Sequence, residues 1–283
     1  MKPDRRALLK GMMAGGAIAA VGLPKISFAK PQAPAARDVL LVGCGRMDAG
    51  FAAGAGEAGA LRRQSIGAGA LPDLAASRAL LDASRGTRLV GLMEDAAYVL
   101  FSELARDAGA RLVFEGQHSI AGAGRVSRHA LNSAAGFHGS AESLAAALTD
   151  ADAAFAIAET PVGGGGRIVR GGDWSRLGFE SFHVADDTPA WLHLSGVARS
   201  EGCEALGLSD ARVEPLHCWP TYVPEAPAGA KGWSATLGRT LARLAAGGEE
   251  NRRPGIRQAF IRRPEALDDF ATDGSYVSFV MEA

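Results

Sequence analysis

The chain has 283 residues with 30 basic and 31 acidic side chains, 47% hydrophobic and only 6% aromatic residues, and three cysteines. That length gives one large domain or two small ones with a real core. A near-neutral chain without a basic stripe argues against nucleic acid and anionic membrane surfaces as partners, and the cysteines lack metal-type spacing.

The first element is a targeting segment. Lys2, Arg5, Arg6 and Lys10 form a positive head ahead of the Gly/Ala-rich apolar run Gly11–Leu23. Thirteen residues rise about 20 Å as a helix, short of a hydrocarbon core of roughly 30 Å. Pro24 breaks the run, and Ser27 and Ala29 stand at −3 and −1 of a signal-peptidase site, with cleavage after Ala29. The stretch "DRRALLK", with Arg5, Arg6, Leu8, Leu9 and Lys10, resembles a twin-arginine (Tat) signal peptide. Asp4 stands in place of the usual Ser or Thr, and Leu8 in place of the usual Phe. The resemblance implies engagement of the Tat translocase, export in a folded state to the periplasm, and removal of residues 1–29. The remaining 254 residues carry 25 basic and 30 acidic groups, a balance of −5, and no second apolar run reaches 18 residues. No membrane attachment is therefore expected after cleavage.

Residues 30–37 read as a Pro/Ala linker, and 38–283 as a single α/β domain with a candidate sub-boundary near the glycine-rich 163–172. "DVLLVGCG" predicts a buried strand entering a Gly turn, and the following residues to Arg63 a Gly-rich helix. A helix is expected from Pro72. "TRLVGLM" predicts a strand, followed by a helix with Ala97, Leu100, Phe101, Leu104 and Ala108 on one face, ended by Gly109. "RLVFEGQHSI" completes a β-α-β unit, and "GSAESLAAALTDA" with "AFAIAETPV" repeats the helix–strand sense, with Ser140 and Ser143 as caps. "GFESFHV" and "AWLHLSGV" predict a hairpin around "ADDTP". "WSATLGRTLARLAA" predicts an amphipathic helix ended by Gly247 and Gly248, and "IRQAFIRR" and "SYVSFVMEA" predict closing strands. The expected fold is α/β, with a mainly parallel sheet and flanking helices in the first half and antiparallel strands in the second.

Candidate chemistry follows from that layout. Ligands of open α/β sheets bind beyond the carboxyl ends of parallel strands. Those ends would carry Cys44, Arg46 and Asp48, then Glu94 and Asp95, then Glu115 and His118, then Glu159. Grouped carboxylates with a histidine suit acid/base catalysis, which makes Glu94, Glu115, His118 and Glu159 the catalytic candidates. Gly43, Gly45 and Arg46 are the cofactor candidates, because a Gly turn after a strand admits phosphate. Asp48 occupies the third glycine position of the dinucleotide fingerprint and would repel that phosphate. His183, His193, His217 and Cys218 offer nitrogen and sulfur ligands for zinc or copper, without a recognised metal spacing. Cys203 and Cys218 could form a disulfide in an oxidising compartment. The basic cluster Arg252, Arg253, Arg257, Arg262 and Arg263 reads either as an anion site or as a charged edge strand. No cofactor can be named. The sequence points first to an exported ligand-binding or accessory protein, with a redox system and a periplasmic protein partner in view. The alternative is a periplasmic cofactor- or metal-dependent enzyme, an oxidoreductase or hydrolase, with its site at the strand ends.

Overall fold

A computed structural model of the chain describes residues 38–44, 49–59, 61–133, 153–161, 180–185, 190–215, 233–247, 255–265 and 273–283. The targeting segment, the linker, the "GSAESLAAALTDA" helix, Gly45, Arg46, Asp48, His217 and Cys218 lie outside them.

The apolar run Val39–Gly43 forms β1, buried along its whole length. A Gly/Ala helix follows, α1 (Ala49–Glu57), and then β2 (Arg62–Ser65), a short exposed strand parallel to β1. Helix α2 (Leu74–Ala83) starts where the Asp73 carboxylate accepts from the Ala76 amide at 2.8 Å, one residue beyond the helix-favouring Pro72. Strand β3 (Arg88–Glu94) leads directly into α3 (Asp95–Asp107), which carries Asp95 in its first turn and Arg106 in its last, both favourable to the helix dipole. Next come β4 (Arg111–Ala121), β5 (Val126–Ser133), β6 (Ala154–Pro161), β7 (Glu180–Val184) and β8 (Ala190–Ser195). Helix α4 (Arg199–Leu206) and β9 (Val213–Pro215) precede the long helix α5 (Trp233–Ala245), and β10 (Gly255–Arg262) and β11 (Gly274–Glu282) end the chain.

All eleven strands join one mixed sheet in the order β2-β1-β3-β11-β4-β5-β10-β6-β8-β7-β9. The fold is α/β, and the described residues form five α-helices on the sheet. Parallel pairing is confined to β2, β1 and β3. Antiparallel pairing begins at β11 and β4, inside what the sequence reads as the parallel half. The β3-α3-β4 crossover does return parallel, but β11 is inserted between its two strands. Likewise β10 lies between β5 and β6, so neither C-terminal strand is an edge. Strands from both sides of residues 163–172 share the sheet.

The sheet separates the core into two layers. On one face, α1 and α5 cover Leu41, Val90, Phe114, Leu131, Ile157, Ile261 and Val280. On the other, α2 and α3 cover Leu40, Val42, Leu89, Met93 and Phe279 at one end, and α4 covers Ala156, Ala158, Leu192 and Leu194 at the other. The buried stripe of α3 is Ala97, Tyr98, Phe101 and Ala105, whereas Leu100 is 40% exposed. The helix is rotated from the expected face because Tyr98 and Phe101 both pack on Phe279, at ring centroid separations of 5.5 and 5.6 Å.

Glycine sets the distance between α1 and α5. A Cβ on Gly54 would lie 1.8 Å from the Ala235 carbonyl oxygen, and one on Gly238 would lie 2.2 Å from that of Phe51. The helices cross backbone to backbone. Any side chain at either position forces them apart and opens the layer beneath. Gly238→Ala should therefore lower stability by about 3 kcal/mol, as overpacking of a closed contact does. Gly56→Ala, on the exposed side of α1 with only Arg63 Nη2 at 3.5 Å, should be neutral or stabilise by about 0.5–1 kcal/mol through helix propensity. Thermal unfolding of the two variants, identical in chemistry, checks the contact by the opposite signs expected.

Candidate functional site

Side chains directly opposite each other in an antiparallel ladder share a face. The β4–β5 register sets His118 opposite His129, and the β11–β4 register sets Ser278 opposite Gly116. These groups point into the layer under α5. His118 Nδ1 lies 2.8 Å from His129 Nδ1, and His118 Nε2 lies 2.8 Å from Ser278 Oγ. His129 Nε2 lies 3.0 Å from Ser127 Oγ, which also accepts from Arg263 Nη1 at 3.2 Å. Gly116 makes the space for this chain: a Cβ there would stand 2.6 Å from Ser278 Oγ. The Trp233 indole lies over both imidazoles at centroid separations of 4.9 Å. His118 and His129 are each 2% exposed, and Trp233 1%.

Burial keeps both imidazoles neutral. It pushes His118 down to about 3. It lowers His129 well below the usual histidine value, with the charges of His118 and Arg263 adding to the effect. On β8, His193 is likewise pushed down to about 3 by burial, with Ser181 Oγ 2.8 Å from its Nδ1.

The four acid/base candidates are not brought together. Glu115 and His118 lie inside β4, not at its end, and their odd and even positions face opposite sides of the sheet. Glu115 accepts from Tyr98 Oη at 2.6 Å, and burial, with this carboxylate adding to it, drives the tyrosine hydroxyl far above its ordinary pKa. Glu159 sits on β6, three strands and about 14 Å from His118 at normal strand spacing. It accepts from Arg257 Nε at 3.0 Å; burial raises its pKa while the Arg257 charge holds it partly back. Glu94 closes β3, exposed, just before α3. It does come near Cys44, beyond the end of the adjacent parallel β1. Partial burial and the Glu94 charge both raise that thiol's pKa, and the Cys44 thiol points to the Gly69 carbonyl oxygen at 3.5 Å.

The remaining candidates divide in the same way. Gly43 ends β1. His183 and His193 share a face of the β7–β8 hairpin, but the register pairs His183 with Trp191 and His193 with Ser181, so the two are offset by two residues. Among the described residues, no group of three or more His, Cys, Asp and Glu side chains could hold a metal ion. Cys203 is a free thiol on the buried face of α4. Of the basic cluster, Arg257 and Arg262 lie on β10, an internal strand and not an edge, Arg263 follows it, and Arg252 and Arg253 lie outside the described residues. Arg257 pairs with Glu159, Arg262 with Glu201 at 2.7 Å, and Arg263 with Ser127 and the Gly124 carbonyl.

Two features escaped sequence reasoning. One is His129, because the alternation in "VSRHALNS" is too weakly apolar to mark β5; the glycines at 122 and 124, both at positive φ, are the hairpin signal that would have exposed it. The other is the outer face of the central strands. There Glu115, Gln117 and Ser119 of β4 lie beside Arg128 and Asn132 of β5 and Gln258 of β10, half-buried or exposed. Helix α3 bounds this polar floor through Tyr98, and α4, packed on β6 and β10, bounds it on the other side. Arg128 is spread over the Phe260 ring at 5.6 Å. No family model, curated protein or solved structure matches the chain.

Neutral buried histidines make stability depend on pH. An unfolded histidine takes up a proton near 6.5, while the folded ones resist until far lower pH, so acid favours the unfolded chain. The stabilisation is complete above about pH 6.5 and is lost as pH falls towards 3. Each such histidine contributes a slope of up to about 1.4 kcal/mol per pH unit in that window. Urea unfolding from pH 7.5 to 5 should show a steep fall in midpoint beginning near pH 6.5; a flat midpoint down to pH 5 would contradict the neutral assignment.

Proposed function

We propose that the chain is an exported, periplasmic ligand-binding or accessory protein, whose binding face is the polar floor between α3 and α4. One observation carries this reading. Glu115, Gln117, Asn132, Arg128 and Gln258 form a cluster of hydrogen-bonding groups on rigid central strands, open to solvent and walled by helices. Strands hold donors and acceptors more firmly than loops do, and a floor mixing carboxamides with one acid and one guanidinium suits a small polar ligand. The acid/base candidates support the same reading in another way. Glu115, His118 and Glu159 are each engaged by a neighbouring side chain, and they are spread over two faces. The twin-arginine resemblance supplies the address, and no helix among the described residues is long and apolar enough to cross a membrane.

The test is purification of the exported form from the periplasm, with native mass, metal content and visible spectrum recorded. A bound small molecule or protein partner that is lost in a Gln117→Leu/Gln258→Leu double variant, at an unchanged melting temperature, is the expected result. Stoichiometric metal or flavin would overturn it in favour of the enzyme reading. Replacing Arg5 and Arg6 together by Lys should stop export, leaving uncleaved precursor in the cytoplasm by fractionation and immunoblot. Periplasmic appearance of that variant would refute the Tat assignment.

A further inference from the structure

We propose that the His118–His129 pair is an acid-released latch holding the Trp233 end of α5 on the sheet. The argument starts from the two fixed ends of the polar chain. Arg263 can only donate, and the Gly116 carbonyl, 3.5 Å from Ser278 Oγ, can only accept. Between them, one direction uses every group once. Arg263 donates to Ser127, Ser127 to His129 Nε2, His129 Nδ1–H to His118 Nδ1, His118 Nε2–H to Ser278, and Ser278 to Gly116. In the reverse direction Ser127 Oγ receives two donors while its own proton has no acceptor in the chain, and Gly116 loses its donor. The direction therefore assigns opposite tautomers, Nδ1–H for His129 and Nε2–H for His118.

This chain has room for one proton between the two rings. A second on His118 Nδ1 would set N–H against N–H across the 2.8 Å contact, and one on His129 Nε2 would give Ser127 Oγ two donors and leave its own proton no acceptor in the chain. Among the described residues, no carboxylate acts on either ring. Tyr276 of β11 stands opposite His118 and Ala259 of β10 opposite His129. The charge in contact with the chain is Arg263, of the same sign. Among the described residues, the carboxylates on this face are paired, Glu57 of α1 with Arg239 of α5 at 2.5 Å, Glu159 of β6 with Arg257 of β10 at 3.0 Å and Glu282 of β11 with Arg111 of β4; Glu94 lies beyond Tyr276 at the exposed end of β3. Protonation therefore breaks the chain, at the ring–ring contact or at Ser127, and both rings form the surface on which Trp233 lies. The far end of α5 is held independently, by Arg88 Nη1 donating to the Leu244 and Ala245 carbonyls at 3.0 and 3.3 Å. Acid thus frees one end of the helix and leaves the other tethered.

Two measurements on the intact protein test this. Imidazole 15N spectra at pH 7.5 should show His129 protonated at Nδ1 and His118 at Nε2; His129 protonated at Nε2 overturns the chain direction and the latch with it. Hydrogen exchange, corrected for intrinsic pH dependence, should show opening of residues 233–238 rising about tenfold per pH unit below 6.5, as uptake of one proton requires. Protection in β3 and β11 should persist, and the change should reverse at pH 7.5. Loss of protection in all segments together, or unchanged protection of 233–238 at pH 5, overturns the latch. His129→Gln, which cannot charge, should keep 233–238 protected at pH 5; acid release in the folded variant also overturns it. Should that variant not fold, the two wild-type measurements decide.

Discussion

Strand β11 hydrogen-bonds to β3 along one side and to β4 along the other. It comes from the last residues of the chain, yet it fills the gap that the β3-α3-β4 crossover leaves open. Its alternation serves both layers at once. Val277, Phe279 and Met281 enter the layer under α2 and α3, while Ser278 and Val280 enter the one under α1 and α5. Phe279 is fully buried and takes Tyr98 and Phe101 against its ring, which positions α3 and, through Tyr98, Glu115. Ser278 ends the histidine chain. Without β11, the parallel strands β2, β1 and β3 would be a three-stranded fragment with an exposed edge, and His118 would lose one of its two partners. The polar floor and the latch, on opposite faces, both depend on this one insertion.

The sequence showed the elements better than their neighbours. Strand β3, helix α3, the β7–β8 hairpin and helix α5 were legible because their apolar periods are strong and their ends carry glycine, proline or acids. The partners of β10 and β11 were not, because nothing local distinguishes a strand that closes a sheet from one that slots into its middle. Strand β2, the four residues Arg62–Ser65, is exposed throughout and has no apolar pattern to read. The same limit governs the site. His118 was read as a strand-end acid/base candidate, but its chemistry is set by His129 eleven residues on and by Ser278 on the strand at its other side. Placing it at a strand end made it a catalytic candidate; placing it mid-strand, with the opposite parity to Glu115, makes it part of the interior.

The arginines tell a related story about burial. Arg88, Arg239 and Arg263 are each under a tenth exposed, and Arg257 is nearly so. Each is a cation removed from water, which is costly unless its donors find acceptors. Arg88 takes the carbonyls at the end of α5, where the helix dipole also favours a positive charge. Arg239 and Arg257 take carboxylates, and Arg263 takes a hydroxyl and a carbonyl. Replacing one partner would strand the other, so these contacts fix register and helix placement even where their net contribution to stability is small. This is why Arg257 and Arg263, part of a basic run that reads as a surface feature in sequence, are internal in the fold.

The two faces of the central strands thus have different chemistry from the same residues in alternation. From Phe114 to Ile120 the even positions of β4, with the odd positions of β5, point under α5 into a buried layer, where an extra proton breaks the histidine chain. Glu115, Gln117 and Ser119 of β4 and Arg128 and Asn132 of β5 point to the other face, where they are half-buried or exposed. A strand cannot shift by one residue without exchanging these roles, so the histidine pair pins the register that keeps Glu115, Gln117, Arg128 and Asn132 outward. Substitutions on the floor leave that register intact. Substitutions in the pair threaten it, and with it the floor on the opposite side of the same strands.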